Sequence, residues 1–239
     1  MRALRLAGLA LGAVLPGPLA RVWLRLAFGY RIAPSAKIGF ALLDARELEL
    51  GPGVRIGHLS AVWQCERFVA DEQAWVGPLN LIRGGKVRLR TYSWVMRLNV
   101  LNAIRDHDCT TEPVSEIDVG AGAVIVSGHW LDFTDRITLG RNVILGGRNS
   151  SLWTHNRQQT APIEIGDFCY LGSEIRVAPG AKLPERCIVA LGSVLSGAIE
   201  PAGSLVGGVP AKVVRPLRPE DEILVRRKAR KDTPDHVLA

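Results

Sequence analysis

The sequence predicts an all-β fold in which the chain winds around a triangular prism. Four observations carry this. Stepping by six from Ile165 gives Leu171, Val177, Leu183, Val189 and Leu195, all aliphatic. The next position in each hexad, Gly166, Gly172, Ala178, Pro184, Ala190 and Ser196, is small or turn-forming. The fifth position, Cys169, Ile175, Ala181, Cys187, Ser193 and Ile199, is mostly small. Finally, the 239 residues are 47% hydrophobic but only 6% aromatic, with 25 glycines and 14 prolines, a balance that suits an aliphatic core with many turns.

A six-residue period fits neither a 3.6-residue helix nor the alternation of a simple hairpin. It fits one hexad per prism side and about 18 residues per coil. The aliphatic residue points inward, the small residue lets the corner close, and neighbouring coils pair about 4.8 Å apart.

In chain order, residues 1–37 come first as a basic, apolar helical segment with six basic residues and no acidic one. Arg2 and Arg5 before Leu6 to Leu15 resemble a secretory leader with a poor cleavage site. Arg21, Arg25 and Arg31 among Leu19, Val22, Trp23 and Leu26 instead suit a short helix on an anionic membrane surface or packed on the body. Pro16 and Pro18 split the run into two pieces. The prism should occupy residues 38–216. Upstream repeats are weaker: Leu50-Gly51, Ile56-Gly57 and Val62; then Val119-Gly120, Ile125, Leu131 and Ile137; then Leu139-Gly140 and Leu145-Gly146 after a two-residue shift that implies a bulge or excursion. Residues 84–113, with Arg97, Arg105, His107 and Asp108, break the period and read as a loop crossing the outside. A C-terminal helix is expected from Pro219 to about Lys231 within 217–239, with acidic residues in its first turn and basic ones in its last, and a frayed tail beyond Thr233.

Two terminal basic stretches account for the net charge of +7. Such charge suits anionic lipid or a phosphorylated ligand. Nucleic acid is not expected, for want of a recognisable binding motif. No uninterrupted apolar stretch is long enough for a membrane span. Four cysteines do not make a disulfide framework in a chain of this length. Cys169 and Cys187, 18 apart, should stack as small core residues of adjacent coils. A reducing, cytoplasmic compartment would keep them free; if the N-terminal segment touches lipid, the place expected is the inner membrane face. Cys65 and Cys109 have no base at a telling spacing.

The hexad run, Tyr170-Leu171-Gly172-Ser173 and the closing Gly207-Gly208-Val209-Pro210-Ala211-Lys212 together resemble the hexapeptide-repeat acyltransferases, whose coils form a left-handed parallel β-helix. The resemblance covers roughly residues 38–216. It implies that handedness, acetyl-CoA as donor, a sugar or glycan hydroxyl as acceptor, a homotrimer with sites between prisms, and no metal. It places the catalytic base in Thr154-His155. A sugar hydroxyl needs a base during attack, and an imidazole suits neutral pH. The resemblance makes the backbone N–H of Ser173 the donor to the developing oxyanion.

His129 and Asp132, in Gly128-His129-Trp130-Leu131-Asp132, look like a His-x-x-Asp element where more familiar sugar acetyltransferases carry an Asn. His129 could polarise the acceptor and Asp132 could orient His155; the other reading is a buried hydrogen-bonded pair. Tyr170, Gly172, Ser173, Ala190, Gly192 and Ser193 are candidates to line the CoA arm, with Lys212 and Arg215 for its phosphates. Asn156, Arg157 and Gln158 are candidates for substrate contact. Competing functions are a different acyl acceptor such as an amino sugar or serine, a zinc hydratase on the same fold, which would need three converging histidines, and a non-catalytic scaffold in a glycan-assembly complex.

Overall fold

The computed structural model describes residues 2–104, 112–226 and 233–238. Asp106, His107, Asp108, Cys109 and Arg105 therefore lie outside the described residues, as do Arg227, Lys228, Arg230 and Lys231.

Helices α1 (Arg2–Val14) and α2 (Gly17–Phe28) open the chain and break at Leu15-Pro16. Short parallel strands follow, stacked in three ranks that form the three faces of a solenoid. The first face includes Lys86–Leu89, Glu116–Val119, Ile137–Leu139, Ile163–Ile165 and Lys182–Leu183. The second includes Val100–Asn102, Trp130–Asp132, Ser151–Trp153, Arg176–Val177 and Val194–Leu195. The third includes Trp94–Arg97, Val124–Ser127, Ile144–Leu145, Tyr170–Leu171 and Ile188–Val189. The chain visits first, third and second faces in turn. Early strands are long enough to round a corner: Ala61–Ala70 pairs with members of both the first and second faces.

The hexad residues Ile165, Leu171, Val177, Leu183, Val189 and Leu195 are all buried in one continuous aliphatic core. Each such side chain contributes about 1.5–3 kcal/mol by leaving water. Coils are 18 residues long where the period is clean, as between Cys169 and Cys187. Upstream the first-face strands have three or four residues and turn two side chains inward, Ile117 with Val119 and Ile137 with Leu139. The two-residue shift is thus an alternating strand rather than a bulge. Its two extra residues are absorbed on the strand, where period-two alternation keeps both ends facing the core.

Residues 84–104 also differ from the expected external loop. Lys86–Leu89, Trp94–Arg97 and Val100–Asn102 are strands of the three faces, with Val87, Leu89, Val95 and Leu101 buried. Leu89, Val95 and Leu101 keep the six-residue spacing, but Arg90, Met96 and Asn102 follow them where the clean hexads carry small or turn-forming residues. The excursion begins only after Asn102, and it makes that coil 30 residues long, as Ile104 and Thr134 measure. A second excursion, after Trp153, lengthens another coil to 26 residues, as Arg141 and Asp167 measure. Both leave from the corner where the second face turns into the first.

The last strands, Ser204–Gly208 and Ala211–Pro216, form an antiparallel hairpin on the end of the third face. The expected helix from Pro219 is shorter: a 3₁₀ turn Pro219–Asp221 leads into Glu222–Val225 and stops where Arg226 turns extended. The tail is not frayed. Asp235–Leu238 is helical, Val237 is buried, and its carbonyl accepts from Asn142 Nδ2 at 2.8 Å.

Candidate active site

Two corners of the prism stack polar side chains. Where the third face turns into the second, Ser60, Asn80, Asn99, His129 and Ser150 lie one per coil. Each accepts a hydrogen bond from a backbone N–H one coil on. Ser60 Oγ accepts from Asn80 N–H (3.1 Å), Asn80 Oδ1 from Asn99 N–H (2.9 Å), and Asn99 Oδ1 from His129 N–H (3.0 Å). His129 Nδ1 then accepts from Ser150 N–H (3.2 Å), and Ser150 Oγ from Ile175 N–H (3.2 Å). All five are buried. The ladder satisfies corner N–H groups that the strands leave unpaired. Because His129 Nδ1 accepts, the ring is neutral with its proton on Nε2. Burial pushes its pKa down to about 4, against a smaller opposing contribution from the Leu145 backbone.

The next corner, where the second face turns into the first, is built differently. Asp132 ends the strand Trp130–Asp132 and is fully buried. Its Oδ1 accepts from Thr134 N–H at 2.9 Å. One coil on, Thr154 donates its hydroxyl to Asp132 O and accepts from Asp135 N–H, both at 2.9 Å, pinning the backbone that carries His155. His155 Nδ1 lies 2.7 Å from Asp132 Oδ2, and its side chain is 11% exposed. The ring lines a cavity of about 550 Å³ with Trp153, Arg157, Arg176, Ala178, Pro179 and neighbouring residues.

Trp153 stacks on Trp130 across adjacent coils, ring centroids 6.0 Å apart and 20° from parallel, and both indoles are more than a third exposed. Neither was singled out from the sequence. Two exposed tryptophans on one face of a chain so poor in aromatics were the available signal. Arg176 turns its guanidinium to the carbonyls of Asn149 and Ile175.

The structure brings His155 and Asp132 into contact and sets His129 apart on the other corner. Asn156 is occupied locally: its Oδ1 accepts from the N–H groups of Gln158 and Gln159, both at 2.8 Å, which closes the loop after His155. Arg157 and Gln158 are exposed on that loop.

Tyr170, Gly172, Ser173, Ala190 and Gly192 form one strip along the end of the third face and its corner with the second. Gly172 N–H bonds Val189 O and Gly192 N–H bonds Ser173 O. Coils approach closely here: a Cβ at Gly147, which has φ +61°, would fall 1.7 Å from Ser173 Oγ. Ser193 differs from a surface ligand contact. It is 1% exposed, donates to Ala190 O at 2.6 Å and accepts from Gly208 N–H. Lys212 is exposed and pairs in register with Gly207, whose absent Cβ would lie 3.3 Å from Ala190, so it borders the strip. Arg215 is held by Asp221 at 2.6 Å, and its guanidinium brings that carboxyl down to about 2.

Ser173 precedes the strand Arg176–Val177, whereas His155 follows Ser151–Trp153, its parallel neighbour. The two residues therefore stand at opposite edges of the second face of one chain. Cys169 and Cys187 are free and buried in adjacent coils, with Cys187 N–H donating to Cys169 Sγ at 3.5 Å. Burial pushes the Cys65 thiol up to about 12. Among the described residues, no three His, Cys, Asp or Glu side chains cluster as a metal-ligand set.

No protein-family model matches the chain. It is 27% identical over 86 residues to the acetyltransferase-like protein YvoF of Bacillus subtilis, which covers 34% of this chain and 49% of that protein. It is 24% identical over 102 residues to the galactoside O-acetyltransferase of Escherichia coli, covering 41% of this chain and 50% of that protein. The chain thus spans about half the length of the curated relatives it matches. Among solved structures, the polySia-specific acetyltransferase NeuO superposes with a TM-score of 0.52 at 15% identity, covering 86% of this chain and 91% of that one. The polysialic acid O-acetyltransferase OatWY gives 0.51 at 14%, covering 87% and 91%. At these identities the two structures speak for the shared fold.

Proposed function

We propose that this chain, a member of the hexapeptide-repeat acetyltransferase family, transfers an acetyl group from acetyl-CoA to a hydroxyl of a sugar or glycan precursor. The observation that carries this is the buried carboxylate of Asp132 set 2.7 Å from Nδ1 of a histidine that lines a cavity.

With Nδ1 2.7 Å from the Asp132 carboxylate, the ring proton belongs on Nδ1 and the lone pair on Nε2, the atom that can take a proton. The acceptor hydroxyl oxygen attacks the thioester carbonyl carbon as His155 removes its proton. The tetrahedral intermediate collapses, the C–S bond breaks, and the imidazolium returns the proton to the departing thiolate. Asp132 positions the ring and stabilises the imidazolium that forms transiently.

The neighbouring Trp153 offers a flat apolar surface to the C–H face of a sugar ring, which favours a sugar acceptor over a small amino acid. The strip from Tyr170 to Gly192, with Lys212 beside it, is the surface we assign to the pantetheine arm and phosphates of CoA. In a homotrimer, the Ser173 corner of one copy would face the His155 corner of the next, supplying a backbone N–H to the oxyanion from outside the chain that supplies the base.

The test is calorimetric titration of acetyl-CoA into wild type and His155→Ala, with turnover measured over a panel of sugar acceptors. Similar affinity for both proteins, with turnover lost only in the variant, is the expected result. Wild-type turnover by the variant would overturn the assignment of the base. Absence of acetyl-CoA binding to folded wild type would overturn acetyl transfer.

A further inference from the structure

The N-terminal helix pair has two apolar sides, and only one is used by the fold. On the inner side, Leu9, Gly12, Ala20 and Leu24 are buried. Gly12 lets the helices meet, since a Cβ there would stand 3.1 Å from Leu24 Cδ2 and 3.2 Å from Trp23 Cδ1. Trp23 Nε1 donates to Gly8 O at 2.8 Å. Arg5 is drawn inward, bonding Asp44 Oδ1 and Ala45 O at 2.8 and 2.9 Å. The pair is therefore firmly seated on the first coils.

On the outer side, Leu4, Leu11 and Val14 line α1, and Leu19, Val22 and Leu26 line α2. The α2 residues stand at i, i+3 and i+7, a helical stripe. Leu4 and Leu26 are 79% and 82% exposed, and the other four are 43–68% exposed. Every formal side-chain charge in residues 1–37 is positive. Arg25 is exposed at the flank of the α2 stripe and Arg2 is exposed at the start of α1, while Arg21 turns back to the carbonyls of Pro34 and Ala36. No helix is long and apolar enough to cross a membrane among the described residues.

We infer that this outer face is a docking surface for an anionic lipid bilayer, on which both helices lie in the interfacial plane. Aliphatic side chains with basic flanks and no acidic residue are the pattern that enters the boundary between headgroups and acyl chains. The arginines attract the negative surface potential of anionic lipid. The same charge argues against a second copy as the occupant, since face-to-face packing would bring like charges together around the apolar stripe. This surface lies on the N-terminal coils, and the inference does not depend on acetyl transfer.

The experiment is sedimentation of the 239-residue chain with vesicles of phosphatidylcholine alone or phosphatidylcholine with phosphatidylglycerol. It is compared with the fourfold variant Leu4→Gln, Leu11→Gln, Leu19→Gln, Leu26→Gln. These side chains are exposed, so circular dichroism should match wild type. Wild type should bind the anionic vesicles at least tenfold more tightly than the neutral ones. The variant should lose at least tenfold of the anionic binding while keeping wild-type affinity for acetyl-CoA. Raising the salt from 0.1 to 0.5 M should weaken wild-type binding. Equal binding by both proteins, no binding by wild type, or loss of self-association in the variant without any vesicle binding by wild type would each overturn the inference.

Discussion

Two corners of the same prism each hold a histidine, His129 buried and His155 half-buried, and the partners decide what each one does. At the corner of Ser60, Asn80, Asn99, His129 and Ser150, side chains accept N–H groups one coil on, so His129 is a rung in a ladder. At the corner of Thr134 and Thr154, the polar network meets a carboxylate, and His155 stands between Asp132 and a cavity. A histidine whose Nδ1 accepts from a backbone N–H is committed to the fold. A histidine whose Nδ1 faces a carboxylate has its other nitrogen prepared as a base.

The largest effect that separates the two corners is on turnover. His155→Ala should lower kcat about 10³-fold, within the range for loss of a general base, with acetyl-CoA affinity within about twofold of wild type. Asp132→Asn should lower kcat about 10²-fold through the wrong ring tautomer and lost charge stabilisation. Its amide oxygen can still accept from Thr134 N–H, so the midpoint of thermal unfolding should stay close to wild type, and kcat should fall while KM for acetyl-CoA holds. Equal loss of stability and activity would make Asp132 a structural residue only.

The ladder corner should answer in stability instead. His129→Leu leaves Ser150 N–H buried and unpaired and should cost about 1–3 kcal/mol in urea unfolding. His129→Asn supplies the acceptor that Asn80 and Asn99 use on earlier coils and should recover most of that loss. The pH dependence has a fixed sign. The folded protein keeps His129 neutral down to about pH 4, whereas the unfolded chain takes up a proton near pH 6.5. The stability tied to neutral His129 is full above about pH 6.5. It is lost as pH falls toward 4, by at most about 3 kcal/mol. Unfolding midpoints measured between pH 7 and 4.5 should fall less steeply in His129→Asn than in wild type; parallel slopes would refute this.

How much of this was legible in sequence follows from how strictly each part obeys the period. From Ile165 to Leu195 every coil is 18 residues long, and the inward residues could be read directly. Upstream, three-residue strands with two inward side chains and excursions at one corner change the coil length. Lys86–Leu89 through Val100–Asn102 read as a loop because Arg90, Met96 and Asn102 stand where the clean hexads have small residues, although Leu89, Val95 and Leu101 hold the period and are buried. At the site, His155 and Asp132 stood out as residue types and the structure brings them together. The ladder was hidden because its rungs are Ser, Asn and His at 19- to 30-residue separations, a series with no common residue type or spacing. Trp130 and Trp153 were passed over because their meeting depends on strand register. Ser193 was read as a surface contact because small residues look alike whether they open a surface or fill a corner.

A smaller test concerns Cys169 and Cys187, which touch across adjacent coils and are free. Thiol titration of the unfolded, unreduced protein should find all four cysteines free; fewer would mean that a pair has oxidised.

The measurement that tests the division between the corners most directly is the acetyl-transfer rate of His155→Ala and His129→Asn, assayed side by side with the same acetyl-CoA and sugar acceptor. His155→Ala should lose about 10³-fold in kcat while His129→Asn stays within about threefold of wild type. Retained turnover in His155→Ala, or an equal loss in a well-folded His129→Asn, would contradict it.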